Sequence, residues 1–216
     1  VLYGLNLAKK SKRPNIILCE GNLDIVTLHQ AGFDNAVASM GTALTVEQTR
    51  LLSRFTKELV LCYDNDNAGK IATERALQIL NGSEFSVKVL QLPRRLVDGE
   101  YIKQDADDFI KFQGPDAFER LLNGSENGVE FRMAQIAGKY DLKDDEARIA
   151  YCGEVSELLA SLPGAVEREI YTGRAAEAAG ITAEAMKLEV QRSFKRRIAR
   201  EKRAELRKDL NPAMAL

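Results

Sequence analysis

Short apolar runs alternate with amphipathic helical patterns through about the first ninety residues, and this alternation sharply limits the possible folds. Between the runs lie helical patterns with recognisable ends, such as the N-cap Thr45 and the stop at Asn81 and Gly82. Continuous apolar strands separated by helices are typical of a parallel sheet covered by helices on both faces. The pattern predicts an α/β fold whose strand-to-helix loops share one edge of the sheet. The predicted strands are residues 15–19, 36–39, 58–63 and 86–90.

Acidic residues follow three of these strands, at the end of the strand or shortly beyond it. Glu20 follows the first strand, Asp64 and Asp66 follow the third, and Asp105 and Asp107 lie beyond the fourth. Because Asp64 and Asp66 are two residues apart, their side chains point the same way in an extended segment. Hard oxygen ligands without His or Cys favour Mg²⁺ or Mn²⁺ over zinc. The sequence therefore predicts a Mg²⁺ or Mn²⁺ site at this edge of the sheet.

The predicted chemistry is phosphoryl or nucleotidyl transfer, because magnesium in such sites shares its coordination with substrate phosphates. Each acidic motif taken alone has another explanation, since an Asp-x-Asp after a strand also serves as a helix cap. Uncompensated carboxylates gathered at one edge would raise each other's pKa and reduce stability. Three such motifs in order therefore favour a metal site over three separate caps.

The pattern changes beyond Pro93. Residues 94–104 have the composition of a polar loop, and the patterns from Val129 onward are helical. We expect two domains: an α/β domain with the metal site over residues 1–124, and a helical bundle over residues 125–216 that ends in a basic helix. Residues 192–208 contain nine Lys and Arg against two Glu. This stretch is either a nucleic-acid contact or a solvated helix face with internal ion pairs.

Several classes of protein are excluded. No apolar run approaches the roughly 18 residues that a membrane helix needs, and no signal-peptide pattern is present. We therefore expect a cytoplasmic protein with no membrane partner, and a piece of something longer because the chain does not begin with Met. The three cysteines are widely spaced, and the single His29 has no ligand partner at suitable spacing. Neither a zinc site nor a disulfide framework is indicated.

Four segments, in the same order, resemble the motifs of the Toprim domain in bacterial DnaG-type primases. Residues 163–169 (PGAVERE) resemble the helical segment that follows Toprim in that family, so the resemblance covers nearly the whole chain. Asn65 and Ala106 stand where the family usually has Gly and Pro, and neither difference removes a carboxylate. The four segments are residues 20–24 (EGNLD), 38–43 (ASMGTA), 62–69 (CYDNDNAG) and 105–110 (DADDFI).

The resemblance implies an enzyme of DNA replication that synthesises short RNA primers on a single-stranded DNA template from nucleoside triphosphates. Such an enzyme is a DNA-directed RNA polymerase of the primosome, and its nucleotidyl transfer depends on Mg²⁺ or Mn²⁺. By motif position, the implied catalytic residues are Glu20, Asp64 and Asp66. The implied metal ligands are these three with Asp105 and Asp107, the implied nucleotide-binding residues are Gly41 and Thr42, and Asp24 is implied to support the ligands.

Primases of this family also carry an amino-terminal zinc-binding domain, a basic subdomain before Toprim, and a carboxyl-terminal domain that docks on the replicative helicase. The resemblance therefore implies a catalytic-core fragment that meets the helicase through a domain absent here and makes no primers alone. Two alternatives stay open: a Toprim nuclease or topoisomerase that cleaves DNA, and a non-catalytic nucleic-acid-binding module. A topoisomerase needs a nucleophilic Tyr, and no motif singles out one of the six tyrosines.

Overall fold

The computed structural model describes residues 2–40, 43–97 and 99–210, with side chains described as far as residue 203. The chain forms two compact units, Val1–Phe131 and Arg132–Leu216. The domain limits expected from the sequence, 1–124 and 125–216, differ from the limits of these units and stay a prediction.

The strands of the described residues lie in the first unit and form two sheets. They are β1 (Asn15–Cys19), β2 (Ala36–Ala38), β3 (Glu58–Leu61), β4 (Ser86–Val89), β5 (Arg95–Val97), β6 (Glu100–Ile102) and β7 (Glu126–Asn127). The main sheet has five strands in the order β2-β1-β3-β4-β7, and the other sheet is a ribbon of β5 and β6. β1 pairs in parallel with β2 and β3, and β3 pairs in parallel with β4. This confirms the predicted parallel sheet. β7 adds an antiparallel strand beside β4 that the sequence patterns did not predict.

Helices begin where the sequence places good N-caps. The Thr45 hydroxyl accepts from the Gln48 N–H at 3.2 Å, and the Gln48 side chain accepts from the Thr45 N–H at 3.0 Å. This reciprocal capping satisfies two N–H groups that a helix cannot pair internally. The described helices are α1 (Leu5–Ala8), α2 (Asn22–Gln30), α3 (Val46–Leu52), α4 (Asn67–Leu80), α5 (Ala106–Gln113), α6 (Pro115–Asn123), α7 (Gly128–Ala137), α8 (Asp145–Ala160), α9 (Ala165–Ala179) and α10 (Ala183–Leu210).

Helices cover both faces of the main sheet. Successive side chains of a strand point to opposite faces, so Leu18 contributes to one core and Ile17 to the other. The Leu18 core includes Leu52 of α3 and side chains of α4. The Ile17 core includes side chains of α2, α5 and α6, among them Phe118, which is fully buried and meets Phe33 edge-to-face. The three-layer arrangement confirms the prediction of helices on both faces.

The segment predicted as a polar loop between Pro93 and Gln104 instead contains the β5–β6 ribbon. Arg95 pairs with Ile102, Leu96 with Tyr101, and Val97 with Glu100. Gly99 lies in the turn between the strands with a φ of +85°, a conformation that residues with a Cβ rarely adopt. The loop prediction was wrong because the ribbon is short and its residues are largely exposed, so they lack the apolar pattern of a buried strand.

The second unit is helical in its described part. α8, α9 and α10 pack against one another around buried side chains that include Tyr151, Leu159 and Met186. The Arg197 guanidinium donates to the Ala160 carbonyl at 3.2 Å, one of the last carbonyls of α8. Among the described helices, none combines the length and the apolar character that crossing a membrane requires.

Candidate metal centre at the carboxyl edge of the sheet

The strand order creates a crevice at the carboxyl edge of the main sheet, between β1 and β3. From β1 the chain moves outward to β2, then returns past β1 to β3 and continues to β4. Ligands of open α/β sheets bind where the strand order reverses in this way. Glu20 directly follows β1, and Asp64 lies three residues beyond β3. The topology therefore brings these two carboxylates to the same crevice.

Glu20 is half-buried, and its Oε1 atom is buried without a hydrogen-bond partner. Burial raises the pKa of Glu20, and the negative charges of Asp64 and Asp66 raise it further. A buried carboxylate oxygen without a partner is costly, because such atoms are normally paired. The Glu20 side chain thus carries a buried anionic oxygen that no group of the described protein satisfies.

Asp64 has a raised pKa, chiefly because it is partly buried, with further increases from the charges of Asp105 and Asp66. Its backbone is held tightly by the start of α4. A Cβ on Gly69 would lie 1.9 Å from the Asp64 carbonyl oxygen, so the helix can approach this closely only with glycine at that position. The close approach fixes the backbone that carries the Asp64 carboxylate.

Asp66 has a different role from Asp64. Its Oδ1 caps α4 by accepting from the Gly69 N–H at 2.8 Å, and its Oδ2 accepts from the Lys103 ammonium at 2.9 Å. These interactions hold the pKa of Asp66 below its ordinary value, with the Gly69 N–H as the largest cause. The helix-cap explanation therefore applies to Asp66 but not to Asp64, and one Asp66 oxygen is committed to the backbone.

The third acidic motif lies at the start of α5. Asp105 caps this helix by accepting from the Asp108 N–H at 2.7 Å. Asp107 accepts from the Lys111 ammonium and from the Thr27 hydroxyl, and these two interactions hold its pKa below the ordinary value. Among the described residues, carboxylate oxygens of Asp105, Asp107 and Asp108 all lie within 4.8 Å of one another. Asp108 was not among the ligands expected from the sequence.

Asp24 links the first and third acidic motifs. It is 7% exposed, and its two oxygens accept from the backbone N–H groups of Gly21 and Asp107, each at 3.2 Å. Burial raises the pKa of Asp24 to about 6 in spite of these hydrogen bonds, and the charges of Asp105 and Asp64 add to the rise. The supporting position expected for Asp24 agrees with these contacts.

These acidic residues therefore form two groups. One group consists of Glu20, Asp64 and Asp66, and the other of Asp105, Asp107 and Asp108. The two groups interact electrostatically, because the charge of Asp105 raises the pKa of Asp64. Sequence reasoning missed Lys103, which is 3.8 Å from Asp64 and 2.9 Å from Asp66. No spacing rule singles out a lysine from a segment predicted as a loop.

A cavity of about 200 Å³ opens beside Glu20, with Ser39, Tyr63 and Arg75 among its lining residues. Met40, next to Ser39, has a φ of 61°, a strained value for a residue other than glycine. The predicted nucleotide-binding residues Gly41 and Thr42 follow directly in the sequence, and both lie outside the described residues. The site residues present fit a hard divalent cation, since carboxylate oxygens form the donor set and the Glu20 oxygen lacks a partner.

Known protein families match both the α/β part of this chain and the helical part that follows it. Residues 17–110 match the family described as Toprim-like, and residues 129–184 match the family described as the DnaB-helicase binding domain of primase. The DNA primase of Clostridium acetobutylicum is 37% identical over 186 residues, which is 86% of this chain and 30% of that protein. The DNA primase of Enterococcus faecalis is 34% identical over 180 residues, which is 82% of this chain and 27% of that protein.

The solved structures that are similar to this chain include a primase domain and a primase catalytic core. A DNA primase domain from Pseudomonas aeruginosa has a TM-score of 0.71 at 29% identity, covering 88% of this chain and 59% of that one. The DnaG catalytic core has a TM-score of 0.69 at 28% identity, with coverages of 86% and 59%. The chain belongs to the DnaG-type primases. A DnaG primase catalytic domain bound to single-stranded DNA is also similar, with a TM-score of 0.68 at 29% identity and coverages of 85% and 57%.

This DnaG-type chain spans 30% and 27% of the two relatives named above. The relatives and structures named here are primases, which disfavours the alternative of a DNA-cleaving Toprim enzyme. One expectation needs correction: the sequence resemblance placed helicase docking in a domain absent here, whereas residues 129–184 match a helicase-binding family. That segment has strong helical patterns but no motif from which a binding partner could be inferred, so sequence reasoning assigned it only to a bundle.

Proposed function

We propose that this chain holds the catalytic metal ions of a primase, and that the whole enzyme synthesises short RNA primers on single-stranded DNA from nucleoside triphosphates. The observation that carries the proposal is the buried Oε1 atom of Glu20, which has no hydrogen-bond partner in the crevice between β1 and β3. A divalent cation would satisfy this oxygen and relieve the repulsion that raises the pKa of Glu20 and Asp64. Similarity to a DnaG domain bound to single-stranded DNA supports the template.

The proposed roles follow from which oxygens are free. Glu20 and Asp64 are the proposed main ligands, and Asp66 adds the oxygen that does not cap α4. Asp105 and Asp107, at the start of α5, are the proposed ligands on the other side of the crevice. A Mg²⁺ or Mn²⁺ ion held by these residues would supply the positive charge that favours ionisation of the attacking hydroxyl and offsets the charge on the leaving pyrophosphate.

The remaining groups of the site position the ligands and the nucleotide. Asp24 holds the backbone of both Gly21 and Asp107, and so keeps the first and third acidic motifs in fixed relation. Gly41 and Thr42 are proposed to contact the nucleotide, because they follow the strained Met40 in sequence and adjoin a residue that lines the cavity beside Glu20.

Metal binding is tested by thermal unfolding of the 216-residue chain. Millimolar Mn²⁺ should raise the unfolding midpoint, because a ligand that binds only the folded state stabilises it. The variant Asp64→Asn with Asp66→Asn should lose this rise. The control variant Glu157→Gln with Glu177→Gln removes the same charge from exposed positions of α8 and α9 and should keep it. An equal rise in the Asp64/Asp66 variant would refute the assignment.

Activity is tested by primer synthesis from nucleoside triphosphates on single-stranded DNA. Holding template, 3′ oxygen and triphosphate in line contributes on the order of 7 to 11 kcal/mol to such reactions. The chain spans about 30% of its relatives, so we propose that these positioning elements lie outside the 216 residues and that the chain alone makes no primers. A longer chain extended at the amino end is the comparison. Robust synthesis by the 216 residues alone would contradict this proposal.

We also propose that the enzyme acts in the cytoplasm. Residues 129–184 are proposed to contribute to binding the replicative helicase, since they match the DnaB-helicase binding family. Mixing this chain with the helicase of the same organism and measuring co-elution in gel filtration tests the contact. A chain shortened to residues 1–131, the first compact unit, is the control that should not co-elute. Co-elution of that shortened chain would move the contact to the α/β unit.

A further inference from the structure

Lys103 stands at the base of the β5–β6 ribbon, directly beside the acidic crevice. The ribbon strands pair only with each other in the described sheets, and the adjoining Gln104 is 3% exposed. The Gln104 side chain donates to the Pro93 carbonyl at 2.6 Å and so ties together the two ends of the ribbon segment. The backbone at Lys103 is therefore anchored, whereas its side chain is 58% exposed. A long side chain on an anchored backbone can swing between partners.

The Lys103 ammonium occupies the position where a cation would meet the Asp-x-Asp motif. It lies 2.9 Å from Asp66 Oδ2 and 3.8 Å from Asp64 Oδ2. Asp66 Oδ1 is committed to the Gly69 N–H, so Oδ2 is the Asp66 oxygen that remains for a metal ion. The Lys103 ammonium has only hydrogen-bond donors, so the carboxylate oxygens around it are suitable acceptors. It neutralises part of the acidic charge, and accordingly it lowers the pKa of Asp64 and of Glu20.

We propose that Lys103 is the counter-ion of the metal-free site, that a divalent ion displaces it from Asp66, and that the displaced ammonium then pairs with the triphosphate of the incoming nucleotide. This inference rests on the proposed metal site. A divalent ion and an ammonium on the same carboxylate oxygen would repel each other strongly at such distances. The anchored backbone keeps the displaced ammonium near the site, within reach of the phosphate oxygens of a nucleotide bound there. Lysine is a compact, flexible cation suited to that contact.

The two halves of the proposal predict effects of opposite sign. Replacing Lys103 by Met keeps the aliphatic stem and removes the charge, so Mn²⁺ no longer competes with an internal cation. Exposed ion pairs of this kind change equilibria by up to about fivefold, so we expect the Mn²⁺ affinity of Lys103→Met to rise about two- to fivefold. The affinity for inorganic tripolyphosphate at saturating Mn²⁺ should instead fall by about the same factor. A residue that only supports the fold would not produce these opposite changes.

Both affinities are measured by titration calorimetry on the 216-residue chain at constant ionic strength, because salt screens such charges. The matched control is Lys57→Met. Lys57 also pairs with a carboxylate, that of Glu84, but it precedes β3 and so lies at the opposite edge of the sheet. Lys57→Met should match the parent in both titrations, and Lys103→Arg, which keeps the charge, should resemble the parent in Mn²⁺ affinity.

The outcomes separate this inference from the metal site on which it rests. Tighter Mn²⁺ binding together with weaker tripolyphosphate binding in Lys103→Met alone supports the proposal. Mn²⁺ affinity equal to or below that of the parent overturns the counter-ion role, and unchanged tripolyphosphate affinity overturns the phosphate contact. A parent chain that binds no Mn²⁺ overturns the metal site itself, and this inference with it.

Discussion

Replacing Asp24 by asparagine should change how the stability of the folded chain depends on pH. Asp24 is 7% exposed, and burial raises its pKa from 3.8 to about 6. The folded state therefore binds this proton more tightly than the unfolded state does. The resulting loss of stability is absent below about pH 3.8, grows between the two pKa values, and is complete above about pH 6. Stability of the parent should accordingly fall as the pH rises through this range.

The magnitude follows from the size of the pKa rise. One pKa unit corresponds to about 1.4 kcal/mol, so ionised Asp24 costs the folded state about 3 kcal/mol at neutral pH. Between about pH 4.5 and about pH 7.5, roughly 2 kcal/mol of this cost develops. An asparagine side chain at this position would not titrate. Its amide oxygen can keep one of the two backbone N–H partners, and loss of the other costs about 1 to 3 kcal/mol relative to the ionised parent.

The assay is urea unfolding followed by circular dichroism, with a chelator present, at about pH 4.5 and about pH 7.5. Because asparagine does not titrate, the free energy of unfolding of Asp24→Asn relative to the parent should increase by about 2 kcal/mol between the two pH values. Asp34→Asn, at an exposed position, controls for the general effect of removing one carboxylate. A stability difference between Asp24→Asn and the parent that does not change with pH would contradict this explanation.

Three further substitutions test the packing around the site and in the helical unit. Gly69→Ala places a Cβ 1.9 Å from the Asp64 carbonyl oxygen. It should lower the free energy of unfolding by about 1 to 3 kcal/mol and weaken the Mn²⁺-induced rise in the unfolding midpoint. The control Gly173→Ala, which has open space around it in α9, should do neither. Phe118→Ala should cost about 3 to 5 kcal/mol in urea unfolding because Phe118 is fully buried, and a loss as small as that of Leu23→Ala, at a 74% exposed position, would contradict the described core. Arg197→Ala should cost about 1 to 2 kcal/mol through its lost hydrogen bond to Ala160, and an equal loss in Arg200→Ala, at an exposed position, would show that this contact is unimportant.

The sheet and the helices could be predicted because their signals are local. Strands such as β1 and β3 are buried on both faces, so they appear as uninterrupted apolar runs, and Thr45 carries its capping partner Gln48 three residues away. The ribbon of β5 and β6 escaped prediction because its side chains are mostly exposed and leave no apolar pattern. β7 escaped because two residues are too short for a periodic signal, and its pairing with β4 joins positions far apart in the chain.

The order of residues along the chain was enough to predict that carboxylates follow the strands, and hence a shared acidic edge formed by Glu20, Asp64, Asp66, Asp105 and Asp107. Which of their oxygens are free to bind a cation could be learned only from the folded arrangement. Asp66 and Asp105 each cap a helix, Asp107 is held by Thr27 and Lys111, and Glu20 keeps an oxygen without a partner. The physical reason is that burial and charge at one side chain depend on neighbours distant in sequence. Lys103 is 37 residues from the Asp66 that it neutralises.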